Sequence, residues 1–125
     1  ALSLGAEFCV FVEKDPVAAR LIEENISEAN FRGRAEIIRA DFRAVIRILH
    51  RRGETFDLIL VDPPYEAGLL EEVSRVFDTF PLFSAAPVIV VEHFKKMVPP
   101  SQIAGITPTD TRSYGQTAIT YYMGT

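Results

Sequence analysis

Phe56-Asp57-Leu58-Ile59-Leu60-Val61-Asp62-Pro63-Pro64-Tyr65 is the segment that decides the fold. Its first six residues are an apolar run of strand length, interrupted only by Asp57. Pro63 and Pro64 end it, because neither offers an N–H to a ladder and each fixes φ. A strand therefore stops abruptly with an acidic residue, Asp62, at its tip.

Upstream, the pattern alternates between two periods. Phe8 to Val12 is wholly apolar, as in a strand buried on both faces. Asp15-Pro16 opens a helix, with Asp suited to the N-cap and Pro to the first helical position. Val17, Ala18, Leu21, Ile22 and Ile26 recur at helical spacing and predict one apolar face, which Asn30 to Gly33 ends. Ala35 to Ala40 is a second strand. Phe42, Val45, Ile46 and Leu49 mark a second amphipathic helix, ended by Gly53.

Downstream, Leu69, Leu70, Val73, Val76, Phe77 and Phe80 make a third helix, and Pro87 to Val91 a fourth strand. Strand and helix alternate with short connections, which signals an α/β architecture: a parallel sheet covered by helices. The tail changes character. Ile103 to Arg112 and Thr117 to Met123 are strand-like, with Tyr114-Gly115-Gln116 as the turn, and predict an antiparallel hairpin on the sheet's edge. No repeat, low-complexity tract or linker divides the chain, so residues 1–125 read as a single domain.

Composition narrows the class. The 125 residues are 48% hydrophobic and 24% charged, the balance of a globular protein with a core of its own. A lone cysteine, Cys9, excludes an intrachain disulfide framework and fits a reducing, cytoplasmic setting. No apolar run approaches the ~20 residues of a membrane helix. The net charge of −4 argues against a generic DNA-coating protein. The charge is uneven, however. Between Phe31 and Arg52 lie Arg32, Arg34, Arg39, Arg43, Arg47, Arg51 and Arg52 against Glu36 and Asp41, a local balance of +5.

In an open α/β sheet, ligands bind outside the carboxyl ends of the strands. The first strand ends at Glu13, the second at Asp41 and the third at Asp62, so three carboxylates mark three successive tips. Each has a plainer explanation as a helix N-cap. Asp15 is the better cap for its own helix, which frees Glu13. For Glu13 and Asp41 cap and ligand roles both stay open.

Asp62-Pro63-Pro64-Tyr65 is more specific than a loop that merely stops a strand. The prolines stiffen the tip and leave the Asp62 carboxylate and the Pro63 carbonyl as acceptors. An exocyclic base amine has two N–H donors for such a pair, and Tyr65 offers a ring to stack on the base. Held in this way, the amine nitrogen can become tetrahedral and attack an electrophilic methyl. Positioning and electrostatics suffice; a strong base is not needed.

The segment Phe56 to Tyr65 resembles the catalytic motif of S-adenosylmethionine-dependent methyltransferases acting on nucleobase amines. Further stretches resemble the RsmD family of bacterial enzymes that methylate a guanine N2 in small-subunit ribosomal RNA. They are Ala1 to Glu7, Phe11-Val12-Glu13, Ile38-Arg39-Ala40-Asp41-Phe42, Val91-Glu92-His93, and Arg112-Ser113-Tyr114-Gly115-Gln116-Thr117-Ala118. The resemblance implies a Rossmann-like fold with S-adenosylmethionine as cofactor and ribosomal RNA, within the small ribosomal subunit, as partner. It implies that Glu13 accepts from the cofactor's ribose hydroxyls and Asp41 from its adenine amine, with Phe42 beside the ring. It also implies that Asp62, Pro63, Pro64 and Tyr65 form the catalytic loop around a guanine taken out of its stack.

One departure matters. The family has a further strand and a glycine-rich cofactor loop ahead of the point where this chain starts. Here no two of the seven glycines stand at G-x-G spacing. Ala1-Leu2-Ser3-Leu4-Gly5 reads as the last turn of a helix without an initiator Met, although ordinary Met removal would leave the same start. The chain is therefore expected to be the C-terminal portion of a catalytic domain, lacking its first strand and glycine-rich loop. Three outcomes are open for the gap between the Phe8 and Phe56 strands: direct pairing, filling by another chain, or a split sheet. An unpaired central edge favours association, so a dimer or higher assembly is expected. Weak or absent cofactor binding and impaired activity of this chain alone are expected too.

Two other readings compete. One is a DNA adenine-N6 or cytosine-N4 methyltransferase, although no insertion serves as a DNA target-recognition domain. The other is a catalytically silent RNA-binding module using Arg43, Arg47 and Arg51, which share one helix face. A solvated face is the commoner explanation of such a stripe. His50 reads as structural, Cys9 as core, and Tyr114 as a turn aromatic or an RNA contact. His93 follows the fourth strand with no readable partner. No Cys/His cluster suggests a metal.

Overall fold

The computed structural model describes residues 4–62 and 68–124. The chain divides into two compact units, residues 1–45 and 46–125.

The first unit holds strands β1 (Cys9–Val12) and β2 (Ala35–Ile38), paired in parallel with Val12 opposite Ile38. Helix α1 (Pro16–Glu28) connects them. Asp15 caps α1 as its sequence predicts, its carboxylate accepting from the N–H groups of Val17 and Ala18 at 3.4 Å each. The helix ends where Asn30 turns left-handed, at φ +64°, a conformation Asn tolerates. A 3-10 turn over Arg32–Arg34 leads into β2. There Arg34 ties the chain before β1 to the start of β2, donating to the carbonyls of Ala6 and Glu7.

The second unit is built on a four-stranded sheet ordered β3-β4-β6-β5. Its strands are β3 (Phe56–Val61), β4 (Phe83–Phe94), β5 (Pro108–Tyr114) and β6 (Thr117–Met123). β3 and β4 run parallel, joined through helix α3 (Leu69–Thr79), and β6 runs antiparallel to both β4 and β5. The C-terminal hairpin thus lies on the edge, as expected. Gly115, at φ +62°, supplies the left-handed residue that its tight turn needs. Helix α2 (Phe42–Arg51) begins in the first unit and ends in the second.

Several expectations need correction. β4 starts at Phe83, not Pro87. Pro87 has no N–H for the ladder, and the β3–β4 register slips across this stretch, from Phe56 opposite Phe83 to Leu58 opposite Val88. Ile103 does not start a strand. It makes one isolated bridge to Ile106 around Ala104 and Gly105, both at positive φ, and β5 begins only at Pro108. The strands are not buried on both faces: Val12 is 40% exposed, Leu58 45% and Leu60 66%. Of the predicted apolar face of α1 only Ile26 is buried, with Val17 and Leu21 exposed, while the other buried residue of the helix, Ala19, lies outside that face. The sheet is split. Among the described residues β1 pairs only with β2 and β3 only with β4, so the Phe8 and Phe56 strands do not pair directly.

The core lies mainly in the second unit. Leu70, Val73 and Phe77 of α3 and Ile89, Val91 and Tyr122 of the sheet are all at most 6% exposed, and the Phe77 ring meets that of Phe83 with centroids 5.5 Å apart. Two buried hydroxyls there are paired. The Tyr122 hydroxyl donates to the Pro100 carbonyl at 2.5 Å, and the Ser74 hydroxyl to that of Gln102 at 2.9 Å. The Ala104 N–H donates to Asp78 Oδ1 at 2.8 Å. These bonds hold the long connection after β4 against α3 and β6. Among the described residues no helix is long and apolar enough to cross a membrane.

Candidate active site

Parallel pairing brings the tips of β1 and β2 to one end of the first unit. The Glu13 N–H extends their ladder to the Ile38 carbonyl at 3.2 Å, so Glu13 stands at the carboxyl end of the pair. Its Oε1 accepts from the Asp15 N–H at 3.0 Å, and the side chain is half-buried. Oε2 makes no hydrogen bond with another described residue. One oxygen holds the βα loop in shape and the other remains available.

Asp41 opens α2. Its carbonyl accepts from the Val45 N–H at 3.1 Å and its Oδ1 from the Arg43 N–H at 3.0 Å, the bonds of an N-cap. The Arg43 guanidinium adds bonds from Nη1 to Oδ1 at 3.0 Å and to Oδ2 at 2.9 Å. The Arg43 backbone N–H, followed by its guanidinium, holds the Asp41 carboxyl below the usual carboxylate range against a smaller opposing effect of burial. The same guanidinium lies over the Phe42 ring, 4.7 Å from its centroid. Asp41, Phe42 and Arg43 therefore form one local cluster with an anionic carboxylate, a ring and a cation.

Arg43 is the residue sequence reasoning placed elsewhere. On the helical stripe it reads as part of a solvated face or as a phosphate contact, whereas here it pairs with Asp41. The available signal was its position two residues after an acidic N-cap, where cap geometry turns a side chain back. Arg47 is also engaged, 5.6 Å from the centroid of the Phe80 ring.

Asp62 differs from both other tips. It directly follows β3, is exposed, and makes no hydrogen bond or ion pair with another described residue. Pro63, Pro64 and Tyr65 lie outside the described residues. In the second unit's ladder Val61 sits opposite Val91, which sets Asp62 level with Glu92 near the end of β4.

The two histidines are structural. His50 approaches the Pro81 carbonyl through Nδ1 at 3.2 Å and meets Phe80 edge-on, their ring centroids 5.6 Å apart. His93 is 3% exposed. Its Nδ1 lies 2.8 Å from the Phe94 carbonyl and must donate there. In the neutral ring Nε2 then accepts from the Thr120 hydroxyl at 2.8 Å, and Thr120 accepts from Thr111 at 3.0 Å. His93 thus has the partner the sequence did not reveal, on β6, the strand next to its own. Cys9 is half-buried, and burial pushes its thiol up, away from nucleophilic reactivity. Among the described residues no three His, Cys, Asp or Glu side chains gather as a metal site.

Comparison with known proteins places this arrangement. A Bacillus subtilis protein named "Putative rRNA methyltransferase YlbH" is 27% identical over 122 residues, 98% of this chain and 66% of its own length. A Haemophilus influenzae protein named tRNA1(Val) (adenine(37)-N6)-methyltransferase is 39% identical over 59 residues, 46% of this chain and 24% of its own length. This chain therefore spans less than two thirds of either relative. Among solved structures, the "Putative methyltransferase yhhF" of Escherichia coli superposes with a TM-score of 0.83 at 22% identity. The match covers 98% of this chain and 67% of that one, and it shows the α/β methyltransferase fold. A family model described as Conserved hypothetical protein 95 matches residues 1–123, and the chain belongs to that RsmD-like family.

Proposed function

We propose that the protein carrying this chain transfers a methyl group from S-adenosylmethionine to an exocyclic base amine in RNA, with guanine N2 of small-subunit ribosomal RNA as the target. In this reading residues 1–125 are the C-terminal portion of one catalytic domain. The observation that carries it is Asp62: an exposed, unengaged carboxylate at the carboxyl end of a strand, followed in sequence by Pro63-Pro64-Tyr65. The names of both relatives support an RNA methyltransferase, and the adenine-N6 enzyme acts on the same class of nitrogen.

The residues at the other two tips fit the cofactor. Glu13 keeps Oε2 for a ribose hydroxyl, and Asp41, fixed by Arg43, presents an anionic acceptor beside the Phe42 ring for an adenine. When bound, S-adenosylmethionine supplies an electrophilic methyl on a sulfonium. Asp62 accepts one N–H of the target amine and the Pro63 carbonyl the other, which frees the nitrogen lone pair from the ring. Tyr65 stacks on the base. Asp62 or solvent would take the surplus proton of the amine once its nitrogen has accepted the methyl. The main work of these groups is to orient the nitrogen.

The test is methyl incorporation from labelled S-adenosylmethionine into 30S particles, 16S rRNA, total tRNA and duplex DNA, with a form of the protein extended upstream. Incorporation into RNA that Asp62→Ala abolishes is the expected result. Methylation of duplex DNA alone would establish the DNA enzyme instead, and RNA binding without any transfer would establish the silent module. Residues 1–125 alone are expected to bind the cofactor weakly or not at all by isothermal titration; micromolar affinity contradicts that part. The expected dimer or higher assembly is supported by Leu60, 66% exposed on a strand paired along one side only, and sedimentation measures it.

A further inference from the structure

The geometry points to a docking edge for the RNA strand that flanks the target base, formed by the Lys95-Lys96 turn and the hairpin tip Tyr114–Gln116. This inference rests on the reading of the substrate as RNA and adds the surface that holds it.

The edge lies wholly within the second unit, at the strand end that also carries Asp62. β4 continues past Val91, the partner of Val61, to Phe94, where the chain turns back with the Met97 N–H bonded to the Phe94 carbonyl at 3.0 Å. Lys95 and Lys96 are the two central residues of that turn. Beside them the hairpin tip is pinned by the Lys95 N–H, which donates to the Gln116 carbonyl at 2.8 Å. Phe94 and Tyr114 are both partners of Thr117, one from each side, so the two aromatic residues share one face of the sheet across β6.

Strand spacing sets the scale. Neighbouring strands lie ~5 Å apart, so the turn is one strand from Asp62 and the hairpin tip two to three, on the order of 10–15 Å. A strand of RNA with one base at Asp62 would lay its neighbouring nucleotides over these residues.

The chemistry suits that ligand. Lys95 and Lys96 are exposed and make no ion pair among the described residues, whereas nearby Arg112 is already bonded to Asp110 at 3.1 Å. These two cations, on a chain of net charge −4, are placed to meet phosphates, with the acids Glu92 and Asp62 at the same end of the sheet. Tyr114 is 57% exposed on a rigid turn, where its ring can stack on an unpaired base.

The experiment measures binding of residues 1–125 to a fluorescein-labelled, mixed-sequence single-stranded RNA by anisotropy, between about 50 and about 200 mM salt. Lys95→Ala/Lys96→Ala should weaken binding at least tenfold at low salt and lower the log–log salt slope by about 1.4, the share of two phosphates on a single strand. Tyr114→Ala should lose about tenfold at every salt concentration with the slope unchanged, while Tyr114→Phe binds like the wild type. An Arg20→Ala/Arg75→Ala control removes as much charge from exposed helix positions and should change affinity less than threefold.

Wild-type affinity and slope in both the lysine and the Tyr114→Ala variants overturn the docking edge. If Asp62→Ala still abolishes transfer in that case, the methyltransferase reading stands alone. No binding by the wild type at about 50 mM salt overturns the edge whatever the transfer assay shows.

Discussion

Asp41 and Asp62 each end a strand, yet the molecule treats them in opposite ways. Asp41 is drawn into local structure: it caps α2, pairs with Arg43 and is held anionic by both. Asp62 is exposed and bonded to nothing among the described residues. Glu13 is intermediate, with one oxygen on the Asp15 N–H. A carboxylate whose acceptors are satisfied by its own loop stabilises that loop. One left without partners on a rigid strand contributes little to folding and is disposed to meet a ligand.

The sharpest break of this comparison is a pair of substitutions. Asp62→Ala should lower methyl transfer in the extended protein by about 10²–10³, the scale of one lost positioning group, while stability stays within about 0.5 kcal/mol. Asp41→Ala should instead cost about 1 kcal/mol in a urea melt, the loss of a helix cap. An Asp62→Ala protein that unfolds more readily than Asp41→Ala would reverse the assignment.

The two units sharpen it next. Ile89, fully buried in the four-stranded sheet, should cost about 3 kcal/mol when cut to Ala, and Ile26 on α1, 8% exposed, about 2 kcal/mol. Urea unfolding with separate probes on each unit compares them.

Tyr122→Phe should cost about 1 kcal/mol by removing the bond to Pro100. Burial pushes the Tyr122 hydroxyl up to about 12, above its ordinary 10.0. Its contribution is therefore complete below pH ~10 and lost as pH rises toward the folded value. Tyr122→Phe should flatten that alkaline loss.

Asp41 gives the smallest effect, with the opposite sign. Its folded carboxyl titrates below the usual range, so its stabilisation is present above that range and disappears as pH falls through the lowered value. Asp41→Asn keeps the cap and should flatten the acid limb of a stability–pH profile by a few tenths of a kcal/mol to about 1 kcal/mol.

Much of the fold was legible because its signals are local. Asp15-Pro16 announced a helix start that the structure repeats bond for bond. The Pro63-Pro64 break placed the end of β3 at Val61, and Gly115 placed the hairpin turn. Ser84-Ala85-Ala86 carries weak strand propensity, so the first half of β4 went unread; it lies in the bulge between the Phe56–Phe83 and Leu58–Val88 pairs. The Ala104-Gly105 turn interrupts what periodicity alone extends from Ile103 into β5.

The amino-acid order by itself determined where elements start, stop and alternate, since caps, breaks and apolar periods act over three or four residues. It also determined that acidic residues stand at three strand tips. Only the tertiary structure decided which of those acids is spent on its own loop, that His93 finds Thr120, and that β1–β2 and β3–β4–β6–β5 form separate ladders. Those outcomes depend on groups far apart in the chain arriving within bonding distance. A residue's own neighbours in sequence cannot specify that.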